Sequence, residues 1–105
     1  MSSHSFALDK ITDIRFWHAP EKTRMVIDLT AGASYKIFSL ENPERLVIDL
    51  KDTDGNMKNV PEVNSKLIRG IRVASRERKN ARIVIDLRHK LKMEHFALAP
   101  QKPYG

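Results

Sequence analysis

Cysteine is absent from the 105 residues, which excludes disulfide staples, thiolate metal sites and cysteine nucleophiles. An exported chain and a cytosolic one are equally compatible with that absence. Glycine is scarce, with four residues. No Walker A, G-x-G-x-x-G or G-x-S-x-G run occurs, so phosphate-cradling loops and a nucleophile elbow drop out. The four histidines, His4, His18, His89 and His95, show no H-E-x-x-H or H-x-H spacing, and neither a metal nor a cofactor is expected. No apolar run approaches the ~18 residues of a membrane-spanning helix. The first five residues, Met1 to Ser5, carry neither the basic n-region nor the apolar h-region of a signal peptide.

The composition is that of one soluble globular domain, with 41% hydrophobic and 30% charged residues. A single unit over residues 1–105 is therefore expected. The net charge of +6 is unevenly placed. Residues 1–65 hold 8 basic and 10 acidic side chains, whereas Lys66 to Lys92 hold 10 basic residues against only Glu77 and Asp86. Such a surface attracts a polyanionic partner. No RRM, KH or recognition-helix pattern accompanies the charge, so no nucleic-acid partner is expected.

Three hexapeptides share one pattern: Arg24 to Leu29 (RMVIDL), Arg45 to Leu50 (RLVIDL) and Arg82 to Leu87 (RIVIDL). Their β-branched content predicts strands. Alternation places Met25, Ile27 and Leu29 and their equivalents on a core face, leaving Arg, Val and Asp on a half-polar, wet face. The flanks repeat as well. Ile11 to Phe16 matches Ile68 to Val73, and Tyr35 to Leu40 matches Met93 to Leu98. One repeat thus covers about 11–50 with four strands; a second covers 68–105 and ends one strand early. The unpaired edge this leaves predicts possible self-association. Turns are expected at Ala19 to Lys22, Asn42-Pro43 and Glu77 to Asn80. The link, 51–67, reads as loop with at most one short helix around Glu62 to Leu67. The fold expected is all-β: a sandwich of two small, symmetry-related antiparallel sheets. By phase, Phe38 and Leu40, like Phe96 and Leu98, should face the core, with Tyr35 and His95 outside.

The string Ile14-Arg15-Phe16-Trp17-His18-Ala19-Pro20, the segments Thr23 to Leu29 and Tyr35 to Phe38, and Asn42 to Leu50 together resemble the AMIN domain. That module occurs at the N-terminus of bacterial N-acetylmuramoyl-L-alanine amidases and in type IV pilus secretins. The ending Phe96 to Pro100 is similar to the amidase branch. The resemblance runs from about Ile11 to Pro100 and departs from the family in its missing last strand. It implies a two-sheet sandwich that binds peptidoglycan in the periplasm and carries an amidase to the division septum. The zinc-dependent catalytic domain of such a parent would lie elsewhere. In secretins the family instead implies a protein–protein assembly module.

The Arg and Asp of the repeats admit two roles. They can pair across neighbouring strands, each exposed pair adding a fraction of ~1 kcal/mol and needing no ligand. Alternatively they tile a face that meets the hydroxyls, N-acetyl groups and carboxylates of a glycan strand, with arginine's fork matching a carboxylate. The candidate peptidoglycan contacts are Arg24, Asp28, Arg45, Asp49, Arg82 and Asp86, joined by Trp17 and Tyr35. Trp17 should point outward, either as a lid on the core edge or as a platform for a sugar ring. Each aspartate stands beside an arginine that keeps it ionised, which argues against a glycosidase acid pair and for a non-catalytic domain.

Overall fold

A computed structural model describes residues 8–19 and 22–90. The expected strand Met93 to Leu98, with His95, Phe96 and Leu98, and any strand beyond it lie outside those residues.

Seven strands and no helix make up the described fold: β1 (Asp9–His18), β2 (Thr23–Leu29), β3 (Tyr35–Leu40), β4 (Arg45–Leu50), β5 (Thr53–Asp54), β6 (Ile68–Arg76) and β7 (Asn80–Leu87). They form a three-stranded sheet ordered β2-β1-β5 and a four-stranded sheet ordered β3-β4-β7-β6. All pairings are antiparallel except β1 with β5. The sandwich expected from the alternating pattern is what forms, because each sheet has one apolar face to hide. Ile14 and Ile27 from the smaller sheet join Leu46, Ile48, Ile83 and Ile85 from the larger one in a single buried cluster. Each such aliphatic side chain contributes about 1.5–3 kcal/mol on burial.

The three R-x-V-x-D strands occupy related places. In the centre of the larger sheet β4 and β7 pair about the Val47/Val84 position, so that Asp49 faces Arg82 and Arg45 faces Asp86. The β1–β2 and β6–β7 hairpins likewise match: Arg15 lies opposite Val26 and Arg72 opposite Val84. Each of these hairpins has a register shift near its start, between Ile11 and Asp13 in one and between Ile68 and Gly70 in the other.

Three expectations need correction. The link, expected as loop with at most one short helix, holds no helix among the described residues but carries a strand, β5, too short to show a period. The Asp9 N–H donates to the Asp52 carbonyl (3.0 Å) and the Thr53 N–H to the Lys79 carbonyl (2.8 Å). Fully buried Thr53 therefore ties the smaller sheet to the β6–β7 turn. Second, β3 runs in the opposite phase. Phe38 pairs with Val47 and Ile37 with Ile48, so Ile37 meets the core while Phe38 and Leu40 lie outside. Tyr35 pairs with Leu50 on the inner phase, at the strand end, where it is 48% exposed. Among the described residues β3 is an edge strand, and its register with β4, set by the intervening turn, outweighs the count of apolar residues. Third, the outer face is not uniformly wet, since Val26 and Val47 are buried on it.

The β6–β7 turn holds Glu77 at φ 55° and Arg78 at φ 66°, a left-handed conformation that side chains disfavour by about 1–2 kcal/mol per residue. Arg78→Gly is therefore expected to raise stability by about 0.5–1 kcal/mol, after glycine's own entropic cost. An upward shift of the urea midpoint checks this.

Candidate functional site

The outer faces of the two sheets carry the charged residues of the repeats. On the larger sheet Arg82 grips Asp49 with two bonds, Nε donating to Oδ1 at 2.7 Å and an Nη to Oδ2 at 2.9 Å. This pair is mostly sheltered, its side chains 29% and 21% exposed. Phe38 helps shelter it, with the Arg82 guanidinium 5.6 Å from the ring and the Lys36 ammonium 5.5 Å from it. Arg72 holds Asp86 in the same bidentate manner, at 3.1 and 2.9 Å, although Arg72 itself is well exposed. Arg45 faces Asp86 in register but turns away from it. Its Nε donates to the Pro43 carbonyl (3.0 Å) and an Nη to the Glu41 carbonyl (3.4 Å), bracing the 41–44 turn.

Cross-strand pairing thus accounts for Asp49, Arg82 and Asp86. The sheltered pair predicts a graded response. Arg82→Ala should cost about 1–2 kcal/mol because it strands the Asp49 carboxylate, and Arg72→Ala, in more water, about 0.5 kcal/mol. A double-mutant cycle with Asp49→Ala isolates the coupling.

On the smaller sheet Arg15 donates to Asp28 (3.0 Å) and has Asp13 3.6 Å from its Nε. Trp17 pairs in register with Arg24 and is 50% exposed. Its ring has the Arg15 guanidinium at 5.4 Å and that of Arg24 at 5.8 Å. The indole therefore belongs to the outer face and is not a lid on the core. Beneath this group Val26 is buried. Arg24 is exposed, and among the described residues no carboxylate lies within 4.0 Å of it. On the inner phase of the same hairpin His18 stacks on Phe16, and its Nδ1 shares a 3.2 Å hydrogen bond with the Thr23 hydroxyl.

Trp17, Arg24 and Asp28 thus share one face, and Arg45, Asp49, Arg82 and Asp86 share the other. Tyr35 stands apart at the end of β3, beside Asp49 and Asn80 in a shallow recess of about 310 Å³. Arg15, Arg72 and Phe38 belong to these faces as well. The Arg in the matched I-R-F and I-R-V strings was the available signal for the first two. Among the described residues no group of three or more His, Asp or Glu is placed to hold a metal. No helix there is long and apolar enough to cross a membrane.

The chain is similar to known proteins along most of its length. The AMIN domain family model matches residues 13–103. The chain is 31% identical over 99 residues to N-acetylmuramoyl-L-alanine amidase AmiC of Escherichia coli O6:H1, covering 90% of this chain and 24% of that protein. It is also 31% identical over 96 residues to the amidase of the same name from Neisseria meningitidis serogroup B, covering 87% and 23%. The chain spans about a quarter of the length of these relatives. With the family match taking in most of its residues, the chain belongs to the AMIN domain family.

Proposed function

We propose that this AMIN domain is a non-catalytic targeting module that binds peptidoglycan in the bacterial periplasm and holds a cell-wall amidase at the division septum. The observation that carries the proposal is the pair of outer sheet faces, which present ordered guanidinium and carboxylate groups flush with the surface. A long polymer can lie along such faces, whereas a small substrate would want a cleft. The contacts assigned to it are Arg24, Asp28, Trp17, Arg45, Asp49, Arg82 and Asp86, with Tyr35 at the rim. The similarity to amidases that act on N-acetylmuramoyl-L-alanine supports peptidoglycan as the polymer. The net charge of +6 supports attraction to its stem-peptide carboxylates. Each contact is weak; repetition along the glycan raises the effective concentration of whatever is tethered to the module.

Co-sedimentation with purified, protein-free sacculi tests this. Wild type should pellet with sacculi, less so at high salt as screening shortens the reach of surface charges. Arg24→Ala/Arg45→Ala/Arg82→Ala, folded by circular dichroism, should pellet less at both salt concentrations. A folded wild type that ignores sacculi and self-associates in sedimentation velocity would instead support an envelope assembly module.

A further inference from the structure

The outer faces of the two hairpins follow one plan, but they differ where Trp17 of the first answers to Ala74 of the second. In both hairpins an arginine of the first strand holds an aspartate of the second, Arg15 with Asp28 at 2.9 Å and Arg72 with Asp86 at 2.9 Å. Two residues further along each first strand the equivalence breaks. Trp17 stands opposite Arg24 in the smaller sheet, and Ala74 opposite Arg82 in the larger one. Around Ala74 the guanidinium is already engaged, because Arg82 is clamped on Asp49. Around Trp17 it leans on the indole at 5.8 Å, with no acid of the described residues beside it.

From this asymmetry we propose that Trp17 and Arg24 form the subsite for a hexopyranose carrying a carboxylate arm, so that the smaller sheet reads the muramyl sugar and its acidic substituent. The proposal rests on the peptidoglycan-binding reading above. The chemistry is specific. A pyranose has a face of polarised C–H groups that suits the negative π face of an indole. Trp17 is 50% exposed. Arg15, tied down by Asp28 and close to Asp13, packs its guanidinium 5.4 Å from the ring and is itself neutralised. Arg24 supplies the remaining guanidinium, a fork that matches one carboxylate. A polyphosphate chain fits poorly, because Asp13 and Asp28 on the same face repel a continuous run of negative charge. A neutral glycan would use the indole and leave Arg24 without a partner. A sugar with one acidic arm uses both.

Trp17 is the sole tryptophan, so its fluorescence reports the site directly. The full chain is titrated with N-acetylmuramyl dipeptide and, separately, with chitotetraose, which has the sugar rings and no carboxylate. The dipeptide should shift Trp17 emission saturably, with chitotetraose about tenfold weaker, as expected for loss of one charge-assisted bond. Arg24→Gln should weaken the dipeptide by about tenfold and leave chitotetraose unchanged. Arg78→Gln, which removes the same charge at the distant β6–β7 turn, should leave both unchanged. In the sacculus assay Trp17→Ala, folded by circular dichroism, should lose most of its binding. The subsite is overturned if wild type binds sacculi but the dipeptide does not perturb Trp17. It is equally overturned if Arg24→Gln binds the dipeptide like wild type, or if Trp17→Ala pellets undiminished. In each of these cases the targeting role survives. Failure of wild type to bind either sacculi or the dipeptide would remove the targeting role and the subsite together.

Discussion

Gly55→Ala is expected to destabilise the protein by about 3 kcal/mol, the upper range for forced overpacking. Gly70→Ala should stay within about 0.5 kcal/mol of wild type. Gly55 is buried where the link crosses β6. A Cβ built there falls 2.4 Å from the carbonyl carbon and oxygen of Ala74 and from the amide nitrogen of Ser75. These are backbone atoms, and neither side can yield cheaply. β6 is held along its length by β7, with Ala74 opposite Arg82 and Ser75 opposite Ala81. On the other side β5 is paired with β1, and its Thr53 N–H is bound to the Lys79 carbonyl. At Gly70 an added Cβ meets nothing within 4 Å, because the residue borders an open recess of about 560 Å³ lined by Glu44, Arg69 and Arg88. Urea unfolding of the two variants beside wild type measures the contrast as a shift of midpoint at constant slope. Equal midpoints for Gly55→Ala and Gly70→Ala would show that the link is free to lift off the sheet, and that β5 does not join the two sheets.

The close approach at Gly55 marks where legibility in the sequence ends. The R-x-V-x-D-L strings announce β2, β4 and β7 and their core faces, because three strongly alternating segments with a common phase have one way to share a core. The hairpin positions follow from the turn residues between them. β5 could not be read, since two residues have no period and its partner β1 lies some forty positions earlier. The phase of β3 was misread because an edge strand with apolar residues on both faces has its phase decided by pairing, not by composition. Periodicity also names the face of an arginine without naming its bond. Arg45 and Asp86 are opposite one another, as the repeat implies, yet Arg72 reaches Asp86 first and Arg45 serves the turn carbonyls. Rotamer competition among long side chains decides this, and it is absent from any one-dimensional pattern. The candidate site was legible as a set of faces. Which of its arginines is engaged, and by what, is settled only by the three-dimensional packing of the faces.

Ile48→Ala is expected to cost about 4 kcal/mol, within the range for removing a buried branched side chain from a core that cannot collapse. Ile48 is fully buried and opposes Ile83, also fully buried, across the central β4–β7 pair. β4 is hydrogen-bonded on both sides, to β3 and β7, so the walls of the new cavity are two sheets that cannot close on it. A loss of that size is a large part of the ~5–15 kcal/mol that holds a small domain together. Ile83→Ala should cost a similar amount, and the double variant less than the sum, since both open one cavity. Val84→Ala, on the half-exposed outer face, should cost about 1 kcal/mol. The experiment also separates scaffold from site. Ile48 is followed by Asp49 and Ile83 is preceded by Arg82, with the ion pair on the far side of the sheet from the cavity. If the outer side chains make the contacts, Ile48→Ala in buffer that keeps it folded should pellet with sacculi like wild type, while its urea midpoint falls. Loss of sacculus binding by that folded variant would mean that the face depends on the packing beneath it, and that the Arg82–Asp49 clamp does not by itself hold the outer surface in shape.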